Sequence, residues 1–286
     1  MKSIGIDIGG SHIACGIFDY NSNELENKIY CLNKINYSIC IDLSTQNFIT
    51  TIINLIDTFI EENKINISEI SSIGLGCPGG TNKETGIFFG SSLLHIKEIN
   101  FKKELKKYNI PIWVENDCTC AGICESYINN IDNFIMFTLG SNLGISYIHN
   151  YTCINEIVWN IFKINKKCKN TDNTYIKSLH SLSQKYNKTK NQNLPRTEIF
   201  NSLKFGDTDA EIIMQDYINN FIIGIRKITE QYNIKTISIG GGISEYSEYF
   251  LPPIQSKLPN LNILNAKFKN DSGIVGSALL QKIPKN

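Results

Sequence analysis

The chain has 286 residues, 42% of them hydrophobic and 19% charged, with 28 basic against 27 acidic side chains. A net charge of +1 excludes the one-sided electrostatics of a dedicated nucleic-acid binder, and no apolar run approaches the ~18 residues that span a bilayer. Nine scattered cysteines, an odd number in a chain too long to need disulfide staples, point to a reducing cytoplasm.

Only Lys2 gives the chain a positive start and Asp7 interrupts the first apolar stretch, so no signal peptide is expected. Length alone suggests about two domains. The first residues alternate as a strand does, with Ile4, Ile6 and Ile8 on one face and Gly5 and Asp7 on the other. Gly9-Gly10-Ser11 turns the chain into a returning strand, Ile13–Phe18, and a third strand fits Ile29–Leu32. From Phe48 to Ile60 apolar residues recur every three or four positions, which predicts an amphipathic helix. A strand at Ile73–Cys77, a basic-faced helix at Phe101–Tyr108 and a short strand at Ile112–Val114 come next, then a helix of small residues through Ala121 and Gly122.

The pattern then restarts. Phe134–Thr138 reads as a strand, Leu139-Gly140-Ser141-Asn142 as a turn and Leu143–Ile148 as its return, repeating the organisation of residues 3–18. Residues 160–195 are rich in Asn and Lys and weakly periodic, which reads as a solvated insertion or exposed helix pair, or else as a phosphate- or nucleic-acid-binding patch. Asp209–Tyr232 is helical in spacing, and Thr236–Ile239 is a buried strand running into Gly240-Gly241-Gly242. Two halves of this kind imply paired α/β domains facing a cleft.

The glycine turns are where chemistry is expected. Around Asp7-Ile8-Gly9-Gly10-Ser11, glycines without Cβ let backbone N–H groups approach phosphate oxygens, and Asp7 can hold a hydrated Mg²⁺; an ordinary hairpin is the plain alternative. Thr138–Asn142 offers a second hydroxyl- and amide-lined turn, and Gly241 and Gly242 a third stretch of bare backbone. Glu115-Asn116-Asp117 leaves the carboxyl end of a strand, where α/β proteins place their reactive groups. Asp117 is either a helix N-cap, a carboxylate that deprotonates an acceptor hydroxyl, or both. Gly74-Leu75-Gly76-Cys77-Pro78-Gly79 matches a dinucleotide fingerprint in letters, but Pro78 followed by two glycines predicts a turn rather than a helix start. Cys118, Cys120 and Cys124 do not share one helical face, which favours small core residues over a metal site.

Taken together these motifs resemble the ROK family of sugar kinases and repressors. Asp7–Ser11 resembles its first phosphate motif, Gly76-Cys77-Pro78-Gly79 its G-x-P-G loop, and Glu115-Asn116-Asp117 its catalytic signature. Thr138-Leu139-Gly140-Ser141 is similar to the second phosphate motif, Ile239–Ser244 to the adenosine-side glycine run and Gly273–Leu279 to the closing helix, all in family order.

The resemblance implies an α/β fold of the actin-like, hexokinase type (ribonuclease H-like), two domains with an interdomain cleft. The expected division is a smaller domain of residues 1–115 plus 272–286, and a larger one of 116–271. ATP and Mg²⁺ are the implied cofactors, with Asp7, Gly9, Gly10, Ser11, His12, Thr138, Gly140, Ser141, Asn142, Gly241 and Gly242 on the nucleotide and Asp7 reaching Mg²⁺ through water. Asp117 is the implied base; Gly79, Ser92, Asn116, Glu156 and Trp159 are the implied sugar contacts. The family's zinc-binding and sugar-contacting histidine is Trp159 here. Its cysteine module is reduced to Cys168, and Thr174-Tyr175 replaces a sugar-binding Glu, so no zinc is expected. The Asn155-Glu156 pair followed by an aromatic at Trp159 resembles the zinc-less branch of N-acetylmannosamine kinases. The phosphate motif at residue 7 leaves no room for a repressor's helix-turn-helix, so neither nucleic acid nor membrane is an expected partner. The expectation is a cytoplasmic, homodimeric ATP-dependent kinase acting on O6 of a hexose or N-acylhexosamine, best matched by N-acetylmannosamine. The alternative is a catalytically weak sugar-binding or regulatory relative.

Overall fold

The computed structural model describes residues 2–10, 12–19, 32–36, 44–91, 94–166 and 174–283. The chain divides into two compact units, Met1–Ile131 with Asp271–Asn286, and Asp132–Asn270.

The first unit opens with β1 (Lys2–Ile8), β2 (His12–Asp19) and β3 (Leu32–Asn36), followed by α1 (Thr45–Glu62) and β4 (Ile70–Cys77). Three two-residue strands, β5 (Thr81–Asn82), β6 (Ile87–Phe88) and β7 (Ile99–Asn100), form a small sheet of their own. α2 (Phe101–Glu104), β8 (Ile112–Asn116) and α3 (Asp117–Asn129) complete this part of the unit. The main sheet has the order β3-β2-β1-β4-β8, antiparallel across the opening hairpin and parallel from β1 to β8. Ile4, Ile6 and Ile8 of β1 are fully buried and join Phe48, Ile52, Ile56 and Phe59 of α1 in one core. That is the apolar stripe read from the spacing of α1.

Two expectations shift here. The third strand occupies Leu32–Asn36 in register with His12–Gly16 of β2, while residues 29–31 of the expected strand lie outside the described residues. The helix expected at 101–108 ends at Glu104, and Lys106–Tyr108 is a tighter 3₁₀ turn closed by Asn109 at φ 53°. After β4, Pro78 leads into β5 rather than a helix, as the proline and glycines predict.

The second unit repeats the plan. β9 (Phe134–Leu139), β10 (Leu143–His149) and β11 (Thr152–Cys153) lead to α4 (Asn155–Asn165), α5 (Leu179–Lys190), α6 (Glu198–Lys204) and α7 (Thr208–Tyr232). β12 (Thr236–Gly240), α8 (Leu251–Lys257) and β13 (Asn262–Asn265) close it. Its sheet order, β11-β10-β9-β12-β13, has the same sequence of antiparallel and parallel pairings as the first unit. Phe134 to Phe137 are buried without alternation, as a central strand covered on both faces requires. The Asn/Lys-rich stretch is not simply solvated. Ile176, Leu179, Leu182 and Tyr186 enter the core of this unit, although Cys168 and its neighbours 167–173 lie outside the described residues.

The chain finally returns to the first unit as α9 (Ser272–Leu279), a helix whose residues are all buried. α9 lies backbone-against-backbone on the sheet and on α3. A Cβ at Gly5 would overlap the carbonyl oxygen of Ile274, one at Gly74 that of Ser277, and one at Gly276 that of Cys120 in α3. This seam explains why the first boundary falls at Ile131 rather than after residue 115: α3 belongs with the helix it packs on.

Gly276→Ala should therefore cost about 2–3 kcal/mol or more in a denaturant titration, because the clash is with rigid backbone. Gly140→Ala, where a Cβ would meet nothing within 4 Å, should stay within roughly 0.5 kcal/mol of the parent.

Candidate active site

In the first unit the carboxyl ends of β1, β4 and β8 stand side by side. Asp7 pairs with Gly76, which in turn pairs with Glu115, and Cys77 pairs with Asn116. Asp7 therefore shares a row with Glu115, separated by a residue that has no side chain. Gly273 brings the start of α9 up to the Asp7 carboxylate, since a Cβ there would stand 2.7–2.9 Å from its carboxyl atoms.

Asn116, not Asp117, caps α3. Its Oδ1 accepts from Thr119 N at 3.1 Å, while its Nδ2 donates to the carbonyls of Gly79 at 3.2 Å and Cys77 at 3.4 Å. One amide thus ties the turn after β4 to the start of α3. That leaves Asp117 as the first helical residue, partly buried, with Oδ1 accepting from Cys118 N at 2.9 Å. Burial pushes the Asp117 carboxyl up to about 6, outweighing the backbone N–H groups of Cys118 and Asp117 and the Asn116 side chain, which favour its ionised form. Glu115 Oε1 accepts from Asn116 N at 2.7 Å and Thr81 Oγ1 at 3.1 Å. Burial raises this carboxyl too. The Cys77 thiol is raised by burial first and then by Asp117, Glu115 and Asp7, so three carboxylates surround a thiol that stays protonated.

Gly9 N donates to His12 O at 2.8 Å and closes the first glycine turn. Gly10 and His12 are described with it; Ser11, like Ser92, lies outside the described residues.

The second unit holds the other turn. Gly140 N donates to Asn142 O at 3.1 Å, and Thr138 pairs with Gly240 as Asp7 pairs with Gly76. Gly241 takes a φ of +78°, and a Cβ there would crowd Leu139 N at 2.8 Å, so the glycine run lies against the turn. His180 N of α5 donates to Gly140 O at 3.1 Å, and Arg196 Nη1 donates to Ser141 Oγ at 2.7 Å. Neither His180 nor Arg196 is signalled by a motif, for they are brought to the turn from 40 and more residues along the chain. Elsewhere in this unit, Glu156 and Trp159 stand three positions apart on the exposed side of α4, Trp159 being 68% exposed.

Among the described residues no three His, Cys, Asp or Glu side chains group as metal ligands. Cys118, Cys120 and Cys124 are buried in α3, the helix that packs on α9. No described helix is long and apolar enough to cross a membrane.

The sequence profile of the ROK family matches residues 3–155 and 166–283. The chain is a ROK protein. This ROK protein is 23% identical to the N-acetyl-D-glucosamine kinase of Haemophilus influenzae, over 96% of its own length and 98% of the relative's. It superposes with a TM-score of 0.79 on a ROK family glucokinase from Streptomyces griseus in complex with glucose and AMPPNP, at 18% identity, covering 98% and 99% of the two chains. The Lmo2764 protein of Listeria monocytogenes, described as a candidate N-acetylmannosamine kinase, gives 0.76 at 20% identity over 99% of both. The α/β fold of the actin-like, hexokinase type expected from the sequence is the fold of this ROK protein.

The raised Asp117 carboxyl has a consequence for stability. Its folded value of about 6 lies above the ordinary 3.8, so the folded protein holds the proton more tightly, and stability is lost as pH rises from about 4 through 6. Asp117→Asn keeps the shape without the buried charge. It should stabilise the protein at pH 7.5 by about 1–3 kcal/mol, with the gain vanishing near pH 4, in melts followed across pH.

Proposed function

We infer that this ROK protein transfers the γ-phosphoryl group of ATP to a primary hydroxyl of a hexose or N-acylhexosamine. The observation that carries the reading is Asp117: a carboxylate near 6 at the end of a parallel strand, one residue after the cap that fixes the Gly79 turn. Membership of the family and likeness to named sugar kinases support it.

Asp117 accepts the proton of the acceptor hydroxyl as its oxygen forms a bond to the γ-phosphorus and the bond to the bridging oxygen of ADP breaks. Such transfers need little covalent help and depend on placement and charge. A pKa of about 6 leaves the base ionised at neutral pH yet still able to take a proton. Asn116 positions Gly79 and the start of α3, which makes its part in sugar binding one of shaping the turn as well as of any direct contact.

The phosphates of ATP suit the turns. The backbone at Gly140 is open, with nothing within 4 Å of a Cβ, and Thr138, Ser141 and Asn142 add polar side chains beside Gly241 and Gly242. Gly9, Gly10 and His12 form the corresponding turn of the first unit. Asp7 is a partly exposed carboxylate, a donor suited to a Mg²⁺ that keeps most of its water. That ion would neutralise phosphate charge during transfer.

Asp117→Asn should cut kcat by roughly 10²–10⁴ with little change in sugar KM, and the wild-type pH profile of kcat/KM should fall below an apparent pKa near 6. Near-normal turnover in the folded variant would remove Asp117 from this role.

For the acceptor, the exposed Trp159 beside Glu156 offers apolar surface where hydroxyl-gripping members carry a histidine. That favours an N-acyl substituent over a dense array of hydroxyls. N-acetylmannosamine or a related N-acylhexosamine should exceed glucose in kcat/KM by about tenfold or more, the effect of ~1.4 kcal/mol. Parallel kinetics with glucose, fructose, mannose and N-acetylmannosamine decide it. A glucose preference ends this choice of acceptor, and absence of turnover with every sugar turns the reading to a sugar-binding regulator.

A further inference from the structure

A cation stands at the second glycine turn without a carboxylate to hold it there. Arg196 lies in the turn before α6 and donates through Nη1 to Ser141 Oγ at 2.7 Å. Among the described residues no Asp or Glu forms an ion pair with it, whereas Lys190, a few residues earlier, is paired with both Asp207 and Asp209. A guanidinium carries five N–H donors in one plane, so a single bond to a hydroxyl leaves most of them available. The hydroxyl it touches belongs to the turn itself.

The turn also presents a glycine that the protein has no internal need for. Gly140 does not adopt a positive φ, and nothing lies within 4 Å of where a Cβ would be. A Cβ at Gly5 or Gly74 would clash at once with α9, but here a side chain would project into open space. A glycine kept bare in that way suits a ligand that must lie on the backbone. Beside it, the backbone N of His180 anchors the first turn of α5 to Gly140 O, and its buried Nδ1 has no partner among the described residues. Burial, and then the charge of Arg196, hold the His180 ring below its ordinary value, so the imidazole is neutral and the arginine is the cation of the pair. An unneutralised guanidinium and an open backbone share one turn. Their common complement is an anion with several acceptor oxygens.

We propose that Arg196 is a donor-phosphate ligand: its guanidinium binds phosphoryl oxygens of the nucleoside triphosphate lying on the Gly140–Asn142 turn, with the Ser141 hydroxyl holding it in position. The proposal rests on the kinase reading and adds to it a residue outside every motif of the sequence. It assigns the connection between α5 and α6 to the phosphoryl donor, where charge-assisted, forked hydrogen bonding to phosphate is the strength of arginine over lysine.

Arg196→Met keeps the aliphatic stem and removes the fork, and Arg196→Lys restores the charge alone. Calorimetry with ADP, adenosine and inorganic tripolyphosphate, together with KM values for ATP and sugar, reads the outcome. Arg196→Met should weaken ADP and tripolyphosphate and raise the KM for ATP by roughly 10- to 100-fold, the worth of a charge-assisted contact. Adenosine affinity, sugar KM and melting temperature should stay close to wild type. Arg196→Lys should fall between the two, and carries the comparison if the Met variant melts early. Loss of tripolyphosphate binding with ADP unaffected would overturn the nucleotide assignment and give the same arginine to an inorganic polyphosphate donor. Wild-type ADP affinity in an active Arg196→Met enzyme overturns the proposal alone, as does an equal loss for adenosine, which would mark a structural residue. A wild-type protein that binds no phosphate ligand and phosphorylates no sugar overturns both this proposal and the kinase reading.

Discussion

The first unit depends on how closely α9 can approach its sheet. Main chain meets main chain at Gly5, Gly74 and Gly276, and any side chain at these positions would have to displace a carbonyl. Close packing of this kind maximises dispersion contacts and tolerates almost no added volume. It also does more than hold the unit together. By resting on β1 and β4 at once, α9 carries Gly273 up to the carboxylate of Asp7; by resting on Cys120, it fixes α3 and so the Asp117 at its first turn. The geometry of the acidic site is set from behind, by residues that have no chemistry of their own.

The two units share a sheet order and differ in charge. Thr138 occupies in β9 the position of Asp7 in β1, each paired across the parallel ladder with a glycine. Around Asp7 the neighbouring strands add Glu115 and Asp117, giving three carboxyl groups about Cys77. Around Thr138 the neighbouring elements add Arg196 and a neutral His180. Equivalent strand ends of one scaffold thus carry an acidic cluster in one unit and a basic side chain in the other. On the proposed kinase reading, the acidic strand end serves the hydroxyl and the basic one the polyphosphate.

Much of this could be read from residue patterns. Alternation in β1, the three-and-four spacing of α1 and α7 and the restart of the pattern at Phe134 are properties of single elements, and each element stands where the spacing placed it. The strand-end position of Glu115-Asn116-Asp117 was equally legible. What the pattern could not decide is which neighbour caps α3, because Asn and Asp are equally good caps and the choice turns on the Asn116 amide also reaching Gly79. Nor could it show that Leu179, Leu182 and Tyr186 pack into a core, since their intervals are masked by the lysines and asparagines between them. Arg196 and His180 were out of reach for a different reason: their significance lies in a partner some 40–55 residues away, and only the fold supplies it.

The acid cluster of the first unit is organised around a single conflict. Asp117 sits at a helix start, where backbone N–H groups and the helix dipole favour a negative charge. Burial opposes them and prevails, which is why its proton is held to about 6 rather than released near 4. Glu115 meets the same opposition and answers it with Asn116 N and the Thr81 hydroxyl, two donors that are fully used on one oxygen. Glu115 is thereby tied to the turn after β4, whereas Asp117 takes the Cys118 N–H on Oδ1 at the start of α3. Two carboxyls two residues apart thus hold different elements, Glu115 the turn after β4 and Asp117 the start of α3. Relieving the burial of Asp117 would make it a weaker base, and supplying it with Glu115's donors would do the same. On the proposed kinase reading, the destabilising placement is what makes Asp117 a base.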